Sequence, residues 1–158
     1  HKENNKHDNH ENYALINETR HKEFDLELDT DKPYVAFQER IDVLKHELHA
    51  LLVKLKAEGK KVHIYGASTK GNTILQWCNI DHTLVEFAAE RNEDKYGAFT
   101  LGTNIPIISE AESRAMHPDY YLVLPWHFKD EFVVREKEAL DKGVGFIFPV
   151  PRIEIMKH

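Results

Sequence analysis

The stretch "KVHIYGASTKGNTILQW", residues 61–77, constrains the fold of this chain more than any other. Val62, Ile64 and Tyr65 are β-branched or aromatic and favour a buried, extended strand. Gly66 ends that run, and the small residues Ala67 and Ser68 follow it. From Thr69 the apolar positions take helical spacing, with Ile74, Leu75 and Cys78 expected to face inward. A strand that enters a small-residue loop and leaves as a helix opens a β–α–β unit, whose parallel sheet needs helices over its faces.

The rest of the chain repeats the alternation. Upstream, Phe37, Ile41, Leu44, Leu48, Leu51 and Leu55 recur at steps of three and four and predict a helix from Pro33 to Glu58, stopped by Gly59. Downstream, "TLVEFAAE" reads as a second strand, "NIPIIS" as a short extended piece, and "DYYLVLPW" as a strand arrested at Pro125. "KDEFVVREKEALDKG" reads as one amphipathic helix ended by Gly143, and "VGFIFPVP" as the last strand. The expected fold class is α/β, a small Rossmann-like, mostly parallel sheet flanked by helices over residues 33–158. Residues 1–32 are polar and carry few apolar side chains, so they are expected to form an irregular interdomain or linker segment.

In such sheets ligands sit beyond the carboxyl ends of the strands. The loop Gly66, Ala67, Ser68, Thr69, Lys70, Gly71 combines small side chains, hydroxyls, one ammonium and a helix start, a combination suited to an anion. Two known phosphate signatures fail on it. Gly66 and Gly71 have Walker A spacing, but Asn72 stands where the lysine belongs; Ser68 occupies the middle glycine of the dinucleotide fingerprint. That second failure also argues against hydride chemistry on a nicotinamide. Glu90 closes the second strand about twenty residues on, where an acid can meet ribose hydroxyls. Asn92 and Lys95, with Arg91, follow that strand; Trp126 and His127 follow the next, and Arg152 the last. A plain packing turn, a core tryptophan and a helix-capping histidine are the competing readings of these same residues. No serine–histidine–aspartate order or acid pair is identifiable, so no catalytic residue is assigned.

A net charge of −6 excludes a nucleic-acid surface as the expectation, and no apolar run reaches membrane-spanning length. The lone Cys78 excludes an internal disulfide and fits a reducing cytoplasm. His1, His7 and His10, and the pair His46 and His49, match no compact metal motif, so no metal is expected in this chain.

The blocks "YGASTKGNTILQW", "NEDKYGAFTLGTNIPI", "PDYYLVLPWHFKDEF" and "GVGFIFPVPRIEI" resemble the C-terminal domain of sugar C-methyltransferases, and "FDLELDTDKPYVAFQERI" resembles that family's lead-in helix. The resemblance covers residues 20–158. It implies a three-part enzyme, with a zinc-binding domain, an S-adenosylmethionine (SAM) domain, and a Rossmann-like domain helping to hold a nucleotide-diphosphate sugar. It implies SAM and structural zinc for the full-length enzyme and neither for this chain, which is expected to be an excised fragment, inactive alone. Its partners would then be the nucleotide sugar and the SAM domain of the same polypeptide. Gly66, Ala67, Ser68, Lys70 and Gly71 match the family's glycine-alanine loop, and Asn92, Lys95 and Gly97 its N-x-x-K-x-G element. Gly102, Thr103, Ile105 and Pro106 match G-T-x-I-P-I, and Trp126 its tryptophan. Glu90, Glu93, Leu101 and His127 depart from its frequent Asp, Pro, Pro and Asn. Two other readings stay open at this point: a stand-alone nucleotide or nucleotide-sugar binding module, and an independent nucleotide-dependent enzyme.

Overall fold

A computed structural model describes residues 8–157 of the chain. His1 and His7 lie outside the described residues, as does the side chain of His10. The chain divides into two compact units, one ending at Asp42 and the other beginning at Val43.

The first unit holds helix α1, Asp8–Asp25, and the start of helix α2, Lys32–Ala57. The polar N-terminal segment therefore carries a helix where its composition suggested irregular chain. Tyr13, Leu15, Ile16 and Phe24 on α1 are exposed. Local ties support it instead: Lys22 pairs with Glu18 one turn earlier at 2.7 Å, and the Thr19 hydroxyl donates to the Leu15 carbonyl at 2.8 Å. Tyr34, in the first turn of α2, donates its hydroxyl to the Leu28 carbonyl in the turn before that helix at 2.9 Å. The expected apolar stripe of α2 holds over its second half, where Leu48 and Leu55 are buried and Leu51 packs beside them. Leu52 joins them, whereas Phe37 is 55% exposed.

In the second unit a six-stranded sheet has the order β3-β2-β1-β4-β5-β6. The strands are β1 Val62–Tyr65, β2 Ala88–Glu90, β3 Ile107–Ser109, β4 Tyr120–Val123, β5 Gly145–Phe148 and β6 Glu154–Met156. The first five pair in parallel; β6 runs antiparallel to β5, with Phe146 opposite Met156. This is the Rossmann-like sheet expected, with an added antiparallel edge. β1 lies at its middle, Val62 to Tyr65 facing Tyr120 to Val123 of β4 and Ile64 and Tyr65 facing Ala88 and Ala89 of β2.

Strand alternation divides the core in two. Val62, Ile64, Leu122 and Ile147 pack with Leu48, Leu52 and Leu55 of α2 and with Leu75 of α3, Thr69–Trp77. Tyr65, Tyr121, Val123, Phe146 and Phe148 pack on the other face with Phe132 of α5, Lys129–Arg135, and Leu140 of α6, Lys137–Asp141. The single helix expected over 129–143 is thus two, broken where Glu136 turns its carboxylate into the interior and is left 4% exposed. Helix α4, Glu110–Ala115, follows β3 directly under a capping box between Ser109 and Glu112.

α3 lies close against Leu124, the residue that follows β4. A Cβ built on Gly71 would stand 2.5 Å from Leu124 Cδ1 and 2.8 Å from Leu124 Cβ. Gly71→Ala is therefore expected to destabilise the fold by about 1–3 kcal/mol through overpacking, outweighing the roughly 1 kcal/mol that alanine ordinarily gains over glycine within a helix. Urea unfolding of the variant measures this; stability equal to wild type would show that α3 can draw away from Leu124.

Candidate functional site

The loop between β1 and α3 turns on Gly66, whose φ of 85° is the left-handed region that glycine enters freely. A Cβ there would also stand 3.0 Å from Pro125 Cδ, so the loop after β1 touches the loop after β4. Most of the loop's N–H groups are already engaged. Gly66 N–H donates to the Ala89 carbonyl at 2.8 Å, Ala67 N–H to Glu90 Oε2 at 3.0 Å, and Ser68 N–H to the Gly66 carbonyl at 3.0 Å. Ser68 caps α3, its Oγ accepting from Gly71 N–H at 3.0 Å. Thr69 and Lys70 stand in the first turn of α3, where an N–H has no intrahelical acceptor, and none among the described residues takes theirs. The Lys70 side chain is exposed and has no hydrogen-bond or ion-pair partner among the described residues. The cradle expected over the whole of Gly66–Gly71 thus narrows to two free N–H groups and one ammonium, with the Ser68 hydroxyl hydrogen beside them.

Glu90 does not present a free carboxylate. Oε1 accepts from the N–H groups of Arg91 at 2.8 Å and Asn92 at 3.1 Å, and Oε2 from Ala67 N–H at 3.0 Å and Lys95 Nζ at 3.1 Å. Burial disfavours the charged form, but the Asn92 and Arg91 N–H groups and the Lys95 ammonium outweigh it and hold this carboxyl below its ordinary value. Lys95 also donates to the Ala67 carbonyl at 3.0 Å. Asn92 Oδ1 accepts from Asp94 N–H at 3.1 Å and caps a 3-10 turn over Glu93–Lys95. The structure therefore brings Glu90, Lys95 and the glycine loop together, though as one hydrogen-bonded unit, with the acid expected to meet a ribose already occupied.

Trp126 and His127 form a 3-10 turn with Phe128 after β4. Trp126 is half-buried against the aromatic core, close to the core reading, while His127 is exposed and lies tilted on Phe128 at 4.3 Å between ring centres. Neither lines the cavity at this edge. That crevice, of about 320 Å³, is bounded by Arg91, Pro125, Phe128, Glu131, Phe132 and Arg135. It falls where the strand order reverses between β1 and β4, the usual ligand position in open parallel sheets. Sequence reasoning placed Arg91 at this edge but missed Phe128, Glu131 and Arg135. A signal existed: Glu131 and Arg135 are four apart in a helix and share a face.

Beneath the crevice, Tyr65 donates its hydroxyl to Glu136 Oε1 at 2.9 Å and accepts from Arg114 at 3.1 Å and Arg135 at 3.0 Å. Both guanidiniums also bond the Glu136 carboxylate, which ties α4 to α5 and α6 over β1. Burial, first, and then the Glu110 and Glu136 carboxylates push the Tyr65 phenol far above its ordinary range. A second cavity, of about 520 Å³, opens beside this network towards the amino ends of β4 and β5. Its cations are paired, Arg114 and Arg135 with Glu136 and Lys142 with Glu138, which leaves the carboxyl edge as the better anion site. His49 Nδ1 meets the Cys78 carbonyl at 3.0 Å, a packing role. No group of three or more His, Cys, Asp or Glu among the described residues is arranged to hold a metal ion, and no described helix is long and apolar enough to cross a membrane.

The larger unit is an α/β fold built on a mostly parallel sheet, and comparison with known proteins gives the chain a family. The chain matches the C-methyltransferase C-terminal domain family over residues 1–151, and it belongs to that family. It is 33% identical over 123 residues to the C-methyltransferase NovU of Streptomyces niveus, an alignment that takes in 78% of this chain and 29% of that protein. The chain thus spans under a third of the length of the curated relative it matches.

Because the Glu90 carboxyl titrates below its ordinary value of 4.5 when folded, its bonds contribute fully above that pH and are lost as pH falls through the folded-state value. The destabilisation caused by Glu90→Gln, measured by urea unfolding at neutral pH, is expected to shrink when remeasured at about pH 3.5. An undiminished gap would mean that Glu90 is not held ionised by these donors.

Proposed function

We propose that this chain is the nucleotide-sugar-holding domain of a SAM-dependent sugar C-methyltransferase that works in the cytoplasm, on deoxysugar substrates. The observation that carries the reading is the family match over residues 1–151. The carboxyl edge supports it. The N–H groups of Thr69 and Lys70, without an acceptor among the described residues, stand at the positive end of the α3 dipole, and the exposed Lys70 ammonium would add a charge for a diphosphate bound there. The ring joined to that diphosphate would pass Pro125 into the crevice, against Phe128, within reach of the Arg91 guanidinium and the Glu131 carboxylate.

The residues present do not offer SAM a comparable site. The acid after β2 that would grip its ribose is engaged by Ala67, Arg91, Asn92 and Lys95, and the donors left free at the β1 loop suit an anion. On this reading the SAM domain and the structural zinc belong to another part of the same polypeptide, which also supplies the chemistry at the sugar carbon. Substrate positioning is what remains for these residues.

Calorimetric titration tests this directly. A uridine- or thymidine-diphosphate sugar is expected to bind the chain, and SAM to give no heat. Lys70→Ala is expected to weaken nucleotide-sugar binding by about 1–2 kcal/mol, as for a charge-assisted hydrogen bond, with its melting temperature unchanged because the side chain is exposed. Micromolar affinity for SAM, or no affinity for either nucleotide sugar, would refute the proposal.

A further inference from the structure

We infer that Glu90 and Lys95 are positioning residues, which grip the backbone on both sides of Ala67 and thereby determine which N–H groups the β1–α3 loop shows a ligand. The inference rests on the proposed reading of that loop as a diphosphate site. It departs from the expectation that this acid and this lysine contact the ligand themselves.

The geometry is specific. Glu90 Oε2 takes the N–H of the Gly66–Ala67 peptide at 3.0 Å, and Lys95 Nζ donates to the carbonyl of the Ala67–Ser68 peptide at 3.0 Å. The two side chains bond each other at 3.1 Å. Successive peptide planes are thus held by the two ends of one ion pair. With its lysine end 39% exposed, the pair contributes little by itself. Here each member also reaches backbone, across 23 residues for Glu90 and 28 for Lys95. Glu90 is braced in turn by the N–H groups of Arg91 and Asn92 on its other oxygen, so its acceptor sites are filled.

The clamp acts where the loop is least constrained. Gly66 can leave φ 85° for other wells without a Cβ penalty, and a turn of the Gly66–Ala67 peptide would swing Ala67 N–H into the ligand's position. Held as it is, that N–H points to Glu90 and leaves those of Thr69 and Lys70. The loop is then set before the ligand arrives, which lowers the ordering cost of binding. A second consequence follows from the filled carboxylate: Glu90 cannot tell a ribose from a 2′-deoxyribose.

Two measurements on the chain test this, with uridine diphosphate and 2′-deoxyuridine diphosphate as probes. The first is calorimetry on wild type, Glu90→Gln, Lys95→Met and Lys95→Arg. Wild type is expected to bind the two nucleotides within about twofold; Glu90→Gln and Lys95→Met should weaken both by the same factor, roughly tenfold, and Lys95→Arg should recover part of it. The second is hydrogen exchange at the Ala67 amide by NMR in the absence of nucleotide, which should quicken about tenfold or more in Glu90→Gln and in Lys95→Met relative to the β1 amides. A wild-type preference for the ribonucleotide that disappears in Glu90→Gln would make Glu90 a ribose ligand and overturn the inference. Unchanged Ala67 exchange in both variants would overturn it as well. If wild type binds neither nucleotide, the proposed function falls, and Ala67 exchange still decides whether the clamp exists.

Discussion

The larger unit depends on the burial of one short strand. Val62, His63, Ile64 and Tyr65 are all buried, and β1 is hydrogen-bonded along both edges, to β2 and to β4. A strand in that position must satisfy its backbone through its neighbours and its side chains through two separate cores. Val62 and Ile64 do so against α2 and α3, and Tyr65 against the aromatic cluster around Phe132 and Phe146. With both faces and both edges closed, the chain leaving Tyr65 emerges at the carboxyl edge. The loop from Gly66 lies there because β1 has no other outlet.

The polar groups around β1 obey the same constraint. The Tyr65 hydroxyl is carried into the interior with its ring, and a buried hydroxyl without partners is costly. Arg114 answers it from α4, Arg135 from the end of α5, and Glu136 from the break between α5 and α6. His63 meets Ser113 Oγ at 2.8 Å, and Ser113 in turn meets the Tyr121 hydroxyl at 2.9 Å. Burial pushes the His63 imidazole below its ordinary value, so the neutral ring is the form that fits this chain of hydroxyls. These bonds fix how the helices lie on the sheet, and they place Arg135 at the rim of the crevice. At the loop itself Glu90 and Lys95 apply the same logic, closing on backbone groups that would otherwise be left without protein partners.

The elements were largely legible from local pattern. The parallel strands and the packing of Leu75 and Cys78 followed from periodicity, because period-2 and helical spacings are local properties of the chain. The sequence signal was weaker where an element is short or its period is interrupted. β6 has three residues, Glu154 to Met156, too few to show alternation. α4 has six, and its best clue was the Ser109 to Glu112 capping pair rather than any apolar stripe. The break at Glu136 was invisible, since its cause is Tyr65, 71 residues earlier.

What the sequence determined by itself is that a β–α unit forms at residues 62–77 and that small, polar and basic residues gather at its loop. Whether those residues face a ligand or one another was decided by tertiary structure alone. Glu90 looks like a ribose acid until the fold brings Ala67 N–H and Lys95 against it. Arg135 and Phe128 look like ordinary helix-surface residues until β4 is placed beside β1 and the crevice forms between them. Hydrogen-bond capacity is a property of a residue type, but its use depends on which partner lies within about 3 Å, and only the folded chain fixes that distance.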